Sequence, residues 1–139
     1  MEKIHLSLEE AQELAVKIKP DIIKLMRINK VLLLLKSVQI EYDDPHMSMT
    51  YGLRRKKRLY KLSYDFYNLL DKLHTKGCVV RDVGRGEVDF HSMFDGREIM
   101  LCWQISENNI QYWHEADGGR ETKKPVSMLI KIRKKFSLN

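Results

Sequence analysis

The stretch between residues 101 and 120, LCWQISENNIQYWHEADGGR, concentrates side chains that can do chemistry. It holds one cysteine, one histidine, one arginine, three acids and two tryptophans. Residues of these types can ligate a metal ion, transfer a proton or supply a thiol nucleophile. Which of these is open to them depends on the side chains that the fold brings together.

His114 and Glu115 are neighbours in the chain. Neighbouring side chains of a β-strand point to opposite faces, so these two cannot readily share one metal ion or one proton. HEADG also lacks the second histidine of the HExxH motif of zinc proteases. The strand pairing predicted below puts His114 on an apolar face, where a buried histidine with a hydrogen-bond partner is favoured over a ligand or base.

Asp89 is predicted to lie opposite Cys102, with Glu115 and Trp113 near by. A carboxylate and a thiolate could hold a metal together, although soft sulfur suits hard, oxygen-loving ions poorly. Two carboxylates near one thiol raise its pKa, which argues against a cysteine nucleophile. We therefore expect a structural role for this cluster, and we assign it no metal and no cofactor.

ADGGR, residues 116–120, places two glycines directly before Arg120. This layout can bind an anion through backbone N–H groups and the guanidinium group. It can equally be a loop whose arginine pairs with an acid. The sequence contains no GxGxxG, P-loop or GxSxG motif, so templates for nucleotide binding and hydrolysis find no support, and whether the chain is an enzyme stays open.

Two predicted helices precede this region. Ser7 and Glu10 have capping-box spacing, so the first helix should begin at Leu8, and Pro20 should kink it. Its apolar seam follows steps of three and four residues through Leu8, Ala11, Ala15, Ile18, Ile22, Leu25, Asn29 and Leu32. After a loop over residues 41–52, the second helix runs from Leu53 to about Lys76, where Gly77 stops it.

The second helix repeats the spacing at Leu59, Leu62, Phe66, Leu69 and Leu73. Two matching seams joined by one loop predict an antiparallel helical hairpin over residues 1–76. More apolar seam is present than one subunit can cover, so we expect a homodimer or a higher homo-oligomer.

After Gly77 the apolar period changes to two, which predicts strands. The candidate strands are CVVRDV, EVDFHSMF, REIMLCWQI, IQYWHE and VSMLIKIRKKF. An Asp95-Gly96 turn pairs Phe94 with Arg97, and therefore Asp89 with Cys102. A SENN turn would pair Ile105 with Ile110, and therefore Cys102 with Trp113 and Leu101 with His114. The predicted fold is α+β, a single domain whose helical hairpin is followed by a small antiparallel sheet over residues 77–139.

Charge is unevenly distributed over a chain of net charge +6. Residues 52–76 carry 8 Lys/Arg against 2 Asp/Glu, whereas residues 77–120 carry 4 against 8. The candidate phosphate-binding residues are Arg54, Arg55, Lys56, Lys57 and Arg58, with Lys131, Arg133, Lys134 and Lys135 near the end of the chain. Five consecutive basic residues wrap around a helix instead of lining one face, and few aromatic residues lie among them. Nucleic acid is therefore a less favoured partner for these residues than the acidic block of the protein itself, residues 77–120.

Two cysteines, neither in a CxxC pair, predict reduced thiols. The first ten residues lack the apolar core of a signal peptide, and the longest apolar run is far too short to cross a membrane. We expect a soluble cytoplasmic protein that does not associate with membranes. Its leading predicted function is a non-enzymatic interaction or ligand-binding module, and the alternatives are a metal-assisted or acid–base enzyme and a nucleic-acid-binding protein.

The order of these signals resembles a family of small bacterial and archaeal proteins, domain of unknown function 2203. LSLEEA, KIKPDI, GEVDF, LCWQ, IQYWHE and GGR carry the resemblance over most of the chain. Family members usually have Gly-Glu where this chain has Ser106-Glu107, and no activity is attached to the family. The resemblance implies that the motif residues are Asp89, Cys102, Trp103, Glu107, Trp113, His114, Glu115 and Arg120.

Overall fold

A computed structural model describes residues 4–41 and 49–130. It shows two long helices followed by a five-stranded antiparallel sheet, which confirms the predicted α+β class. The helices are α1 (Leu8–Glu41) and α2 (Met49–Thr75). The strands, which lie side by side in chain order, are β1 (Cys78–Asp82), β2 (Glu87–Phe94), β3 (Arg97–Gln104), β4 (Tyr112–Glu115) and β5 (Lys124–Pro125). A 3-10 turn over Arg120–Thr122 connects β4 to β5.

The start of α1 is the predicted capping box. The Ser7 backbone N–H donates to the Glu10 carboxylate at 3.0 Å, and the Glu10 backbone N–H donates to the Ser7 hydroxyl at 3.1 Å. These bonds satisfy two donors that have no partner inside the helix. Hydrogen bonds from the backbone N–H of Ser7, which is the larger cause, and from the Ser7 hydroxyl lower the pKa of Glu10. The helix begins at Leu8 as predicted and continues through Pro20.

The helices form an antiparallel hairpin, in which Lys72 near the end of α2 lies 3.7 Å from Asp21 in the first half of α1. Most of the predicted α1 seam is buried, but Ile28 occupies the position predicted for Asn29, which is half-buried. Seven residues of an α-helix make slightly less than two full turns, so a stripe with a strict seven-residue repeat drifts slowly around the helix surface. The second helix begins at Met49, before the predicted Leu53, and residues 42–48 of the predicted loop lie outside the described residues.

The hydrophobic core lies between the hairpin and one face of the sheet. The side chains of the core residues are almost wholly removed from water. They include Ile18, Ile22, Leu25 and Leu73 of the helices and Phe90, Leu101, Trp103 and Trp113 of the strands. Removal of this apolar surface from water is the main favourable contribution to folding. Within the described residues, neither helix combines the length and apolar character needed to cross a bilayer.

The β2–β3 hairpin has the predicted register. Phe94 pairs with Arg97 and Asp89 pairs with Cys102. Asp95 and Gly96, with φ of 51° and 76°, make the left-handed turn that matches the twist of the two strands. The Asp-Gly pair therefore fixes which residues of β2 and β3 share a face.

The predicted pairing of β3 with β4 is wrong by one residue. Leu101 pairs with Trp113 and Cys102 with Tyr112, because β3 and β4 are joined by the seven residues 105–111 and not by a SENN turn. The indole N–H of Trp103 donates to the Glu107 carbonyl at 3.1 Å inside that connection. A slip of one residue moves every side chain of β4 to the opposite face.

The predicted final strand is also wrong in its described part. Residues 127–130 are helical, and the pairing with β4 is restricted to Lys124 and Pro125. Leu129 of this turn is buried against the core. Residues 131–139, which carry the C-terminal basic group, lie outside the described residues.

Candidate functional site

The face of the sheet directed away from the helices carries a cluster of buried polar side chains. Asp89, Cys102 and His114 are at most 2% exposed. Asp89 and Cys102 are cross-strand partners on β2 and β3, and His114 lies on β4 opposite Met100, two positions along from Cys102. All three therefore share one face because side chains of a strand alternate.

Asp89 is the centre of the cluster. Its Oδ2 accepts a hydrogen bond from the Arg81 Nε at 2.9 Å, and its Oδ1 accepts one from the guanidinium group of Arg120. Both arginines keep part of their side chains in water, whereas Asp89 is fully buried. A buried carboxylate is tolerated only with such charged partners, and the two guanidinium groups provide them.

His114 is held by one nitrogen and presents the other to Asp89. Its Nδ1 lies 2.7 Å from the backbone oxygen of Glu115, and its Nε2 lies 3.3 Å from Asp89 Oδ2. A carbonyl oxygen can only accept, so Nδ1 carries a proton and donates it. His114 is a buried histidine with a hydrogen-bond partner, as predicted, but it lies on the polar face and not on the apolar one.

Cys102 places its thiol beside Asp89. Burial, and after it the neighbouring charge of Asp89, raise the pKa of Cys102 to about 12. The predicted rise is present, but burial and not a second carboxylate is the main cause. A thiol with so high a pKa is protonated at neutral pH and is a poor nucleophile.

Arg120 reaches the cluster from the loop after β4. Its guanidinium group contacts Asp89, and its Nε lies 3.7 Å from a carboxylate oxygen of Glu87. Gly118 and Gly119 both keep negative φ, and the Gly118 N–H donates to the Glu115 carbonyl. The pairing of Arg120 with acids, which is one of the two roles predicted for ADGGR, is present in the structure.

Glu107 lies in the connection between β3 and β4. Its Oε2 is buried and has no hydrogen-bond partner among the described residues. Burial raises the pKa of Glu107, while a backbone hydrogen bond from Gln104 and the charges of Lys123 and Arg120 lower it in part. The charge of Arg120 therefore acts on Glu107, and Arg120 itself contacts Asp89.

The remaining candidates lie elsewhere. Glu115 pairs with Arg97 at 3.0 Å, and Trp113 belongs to the core, where its indole N–H donates to the Pro125 carbonyl at 3.1 Å. The prediction that Glu115 and Trp113 lie near Cys102 is wrong, because the one-residue change of register puts both on the face of the sheet opposite to Cys102. The candidate phosphate-binding residues open α2, where Arg55 is half-buried and Arg54, Lys56, Lys57 and Arg58 are exposed.

The structure adds two features to the predicted site. Arg81, which was not singled out in the sequence, joins the cluster from β1, where the pairing with β2 is irregular between Val80 and Asp82. Its alternation with Val79, the partner of Asp89, is the signal that could have indicated it. The possible ligand atoms of Asp89, Cys102 and His114 also lie within 4.8 Å of one another.

One of three comparisons with known proteins found a match. The family described as uncharacterized conserved protein (DUF2203) matches residues 5–126, which is most of the chain. No curated protein and no solved structure matches. The matched range contains the whole cluster, both strands of the Asp-Gly hairpin and both helices.

Proposed function

Because the chain belongs to the family of uncharacterized conserved proteins DUF2203, whose description names no activity, we propose a function from the site itself. The protein is a homo-oligomeric ligand-binding module, and its ligand binds at the cluster of Asp89, Cys102, His114, Arg81 and Arg120. The observation that carries this proposal is that residues from β1, β2, β3, β4 and the loop after β4 converge on one buried carboxylate.

Convergence supports a binding site because burying so many polar groups is costly. An ion pair buried in a protein recovers its desolvation cost only with favourable geometry, and apolar residues of similar volume often serve stability as well or better. The two arginines remain partly accessible, so a ligand can reach the guanidinium groups without unfolding the sheet.

Nuclear magnetic resonance titration tests the proposal. The probes are inorganic phosphate, acetate and zinc chloride, each added separately to the full-length protein. At least one is expected to shift the ring signals of His114, and Arg120→Ala should weaken that response. Arg85→Ala is the matched control, because Arg85 is exposed and its side chain pairs with Asp82, outside the cluster. The proposal is overturned when none of the probes shifts His114.

The homo-oligomeric part of the proposal is supported by the outer surface of the hairpin. Leu53, Tyr60, Tyr64 and Tyr67 follow one another at helical spacing on α2, and each is more than half exposed. An apolar stripe of this kind is typical of a helix that packs on a partner, here a second copy of the chain. Light scattering should give a mass above the 16.5 kDa of one chain, and Tyr60→Glu with Tyr64→Glu should produce monomers. A wild-type monomer at micromolar concentration would refute it.

An acid–base enzyme is the second candidate, and Glu107 favours it. A carboxyl with a raised pKa, whose buried Oε2 has no hydrogen-bond partner among the described residues, is suited to proton transfer. Hydrolysis of p-nitrophenyl acetate and p-nitrophenyl phosphate provides a first assay. Glu107→Gln should abolish any turnover and Glu121→Gln, which changes an exposed residue, should not. Equal turnover by both variants and the wild type excludes Glu107 from this role.

A further inference from the structure

We propose that Asp89, Cys102 and His114 bind one transition-metal ion of the zinc type. The inference rests on the proposed binding site and specifies its ligand. Each residue offers one ligand atom, a carboxylate oxygen, a sulfur and a ring nitrogen, and all three residues are buried. They come from three adjacent strands, so the backbone of the sheet holds them in place.

The spacing of the ligand atoms suits tetrahedral coordination. Zinc bonds to oxygen and nitrogen are about 2.0–2.1 Å long, so two such ligands of a tetrahedron lie about 3.3 Å apart. Asp89 Oδ2 and His114 Nε2 are 3.3 Å apart. The possible ligand atoms of all three residues, the Cys102 sulfur included, lie within 4.8 Å of one another.

The orientation of the His114 ring is a second observation. Its Nδ1 donates to the Glu115 carbonyl, which leaves Nε2 directed at the carboxylate of Asp89. An ion bound between these two atoms would be ligated by both of them.

Metal-ligating histidines usually donate their other ring N–H to a carbonyl or a carboxylate, and that contact fixes the tautomer. The bond from His114 to the Glu115 carbonyl is of this kind. Arg81 and Arg120 orient the Asp89 carboxylate in the same manner. Their positive charges oppose a cation, but Glu87 shares the charge of Arg120, and the ligands Asp89 and Cys102 together supply two negative charges.

The donor set selects the class of metal. Sulfur and imidazole suit zinc, cobalt and similar ions, whereas magnesium and calcium prefer all-oxygen sites. On binding, a metal–sulfur bond forms as the S–H bond of Cys102 breaks, and the proton leaves to solvent. Three protein ligands leave the fourth tetrahedral position to water or to an exogenous molecule.

Cobalt(II) titration of the full-length protein, freed of metal with a chelator, tests the assignment. We expect one equivalent to bind and to produce a thiolate-to-cobalt charge-transfer absorption in the near ultraviolet. Cys102→Ser should lose that absorption and bind zinc at least tenfold more weakly in calorimetry. Cys78→Ser should retain both, because Cys78 is an equally buried thiol whose strand partner is Phe90, on the core face.

A second measurement does not depend on any variant. Zinc should shift the Nε2 signal of His114 in nitrogen-detected spectra, while Nδ1 keeps its N–H. The assignment is overturned when the wild type shows no charge-transfer absorption, when Cys102→Ser retains it, or when zinc leaves Nε2 unchanged. Phosphate or acetate shifting His114 in that case would leave the ligand-binding module standing without a metal.

Discussion

The Nε2 atom of His114 lies 3.3 Å from Oδ2 of Asp89, although the two residues are 25 positions apart in the chain. Their strands, β2 and β4, lie on either side of β3. The two side chains meet across β3 because both lie on the face of the sheet directed away from the helices. Every other residue of the cluster touches or neighbours this pair. The behaviour of the site therefore depends first on Asp89.

Asp89→Asn should destabilise the fold. The amide keeps the shape of the side chain but removes the charge that Arg81 and Arg120 share. Breaking a fully buried pair costs about 3–5 kcal/mol, and the partial exposure of both arginines reduces the expected loss to about 2–3 kcal/mol. Urea unfolding in the presence of a chelator measures it. Asp117→Asn, in the exposed loop after β4, should change stability by less than about 0.5 kcal/mol.

Glu107→Gln should stabilise the protein at pH 7. Burial raises the pKa of Glu107 in the folded state. Below the unfolded pKa the carboxyl is neutral in both states, but as pH rises towards the folded pKa the unfolded chain releases the proton first, and stability falls. The gain of Glu107→Gln in thermal midpoint should therefore disappear below about pH 4. Glu121→Gln provides the baseline, and a gain independent of pH would contradict the explanation.

Gly52 and Gly96 should respond to alanine with opposite signs. At neither position would the added methyl group meet an atom of the described residues within 4 Å, so backbone conformation alone decides. Gly52 lies in α2, and Gly52→Ala should raise the free energy of unfolding by about 0.5–1 kcal/mol. Gly96 has φ of +76°, and Gly96→Ala should lower it by about 1 kcal/mol. Chemical denaturation of both variants checks the sign.

Nucleic-acid binding through the start of α2 makes a separate prediction. The affinity should fall with salt, with a log–log slope of about −0.9 per phosphate contact on duplex DNA. Replacing Arg54, Arg55 and Lys57 by alanine should flatten the slope and weaken binding to all sequences alike. Gel shifts at low salt provide the measurement. Absence of retention of duplex DNA, single-stranded DNA and RNA would end this alternative and leave the basic group to pair with acidic segments of the protein.

Local features of the chain were sufficient to predict both helices, the β2–β3 hairpin and part of the site. Ser7 and Glu10 define the start of α1 because a capping box involves only neighbouring residues. Asp95 and Gly96 define the β2–β3 register because left-handed turns admit few residue types. The pairing of Asp89 with Cys102 follows directly from that turn. These features depend on short-range conformational preferences, which the sequence states explicitly.

Packing between distant segments determined the rest. The pattern of β4 allows either Trp113 or His114 to face the helices, and the connection over residues 105–111 does not fix the choice as a two-residue turn does. Burial of the Trp113 indole against the core, with its N–H donating to Pro125, decides it, and His114 is thereby brought to Asp89. Arg81 and Arg120 also reach Asp89 only through the assembled sheet. Sequence therefore determined which side chains were available, and tertiary packing determined which of them meet, because a strand can exchange its two faces at the cost of a single residue of register.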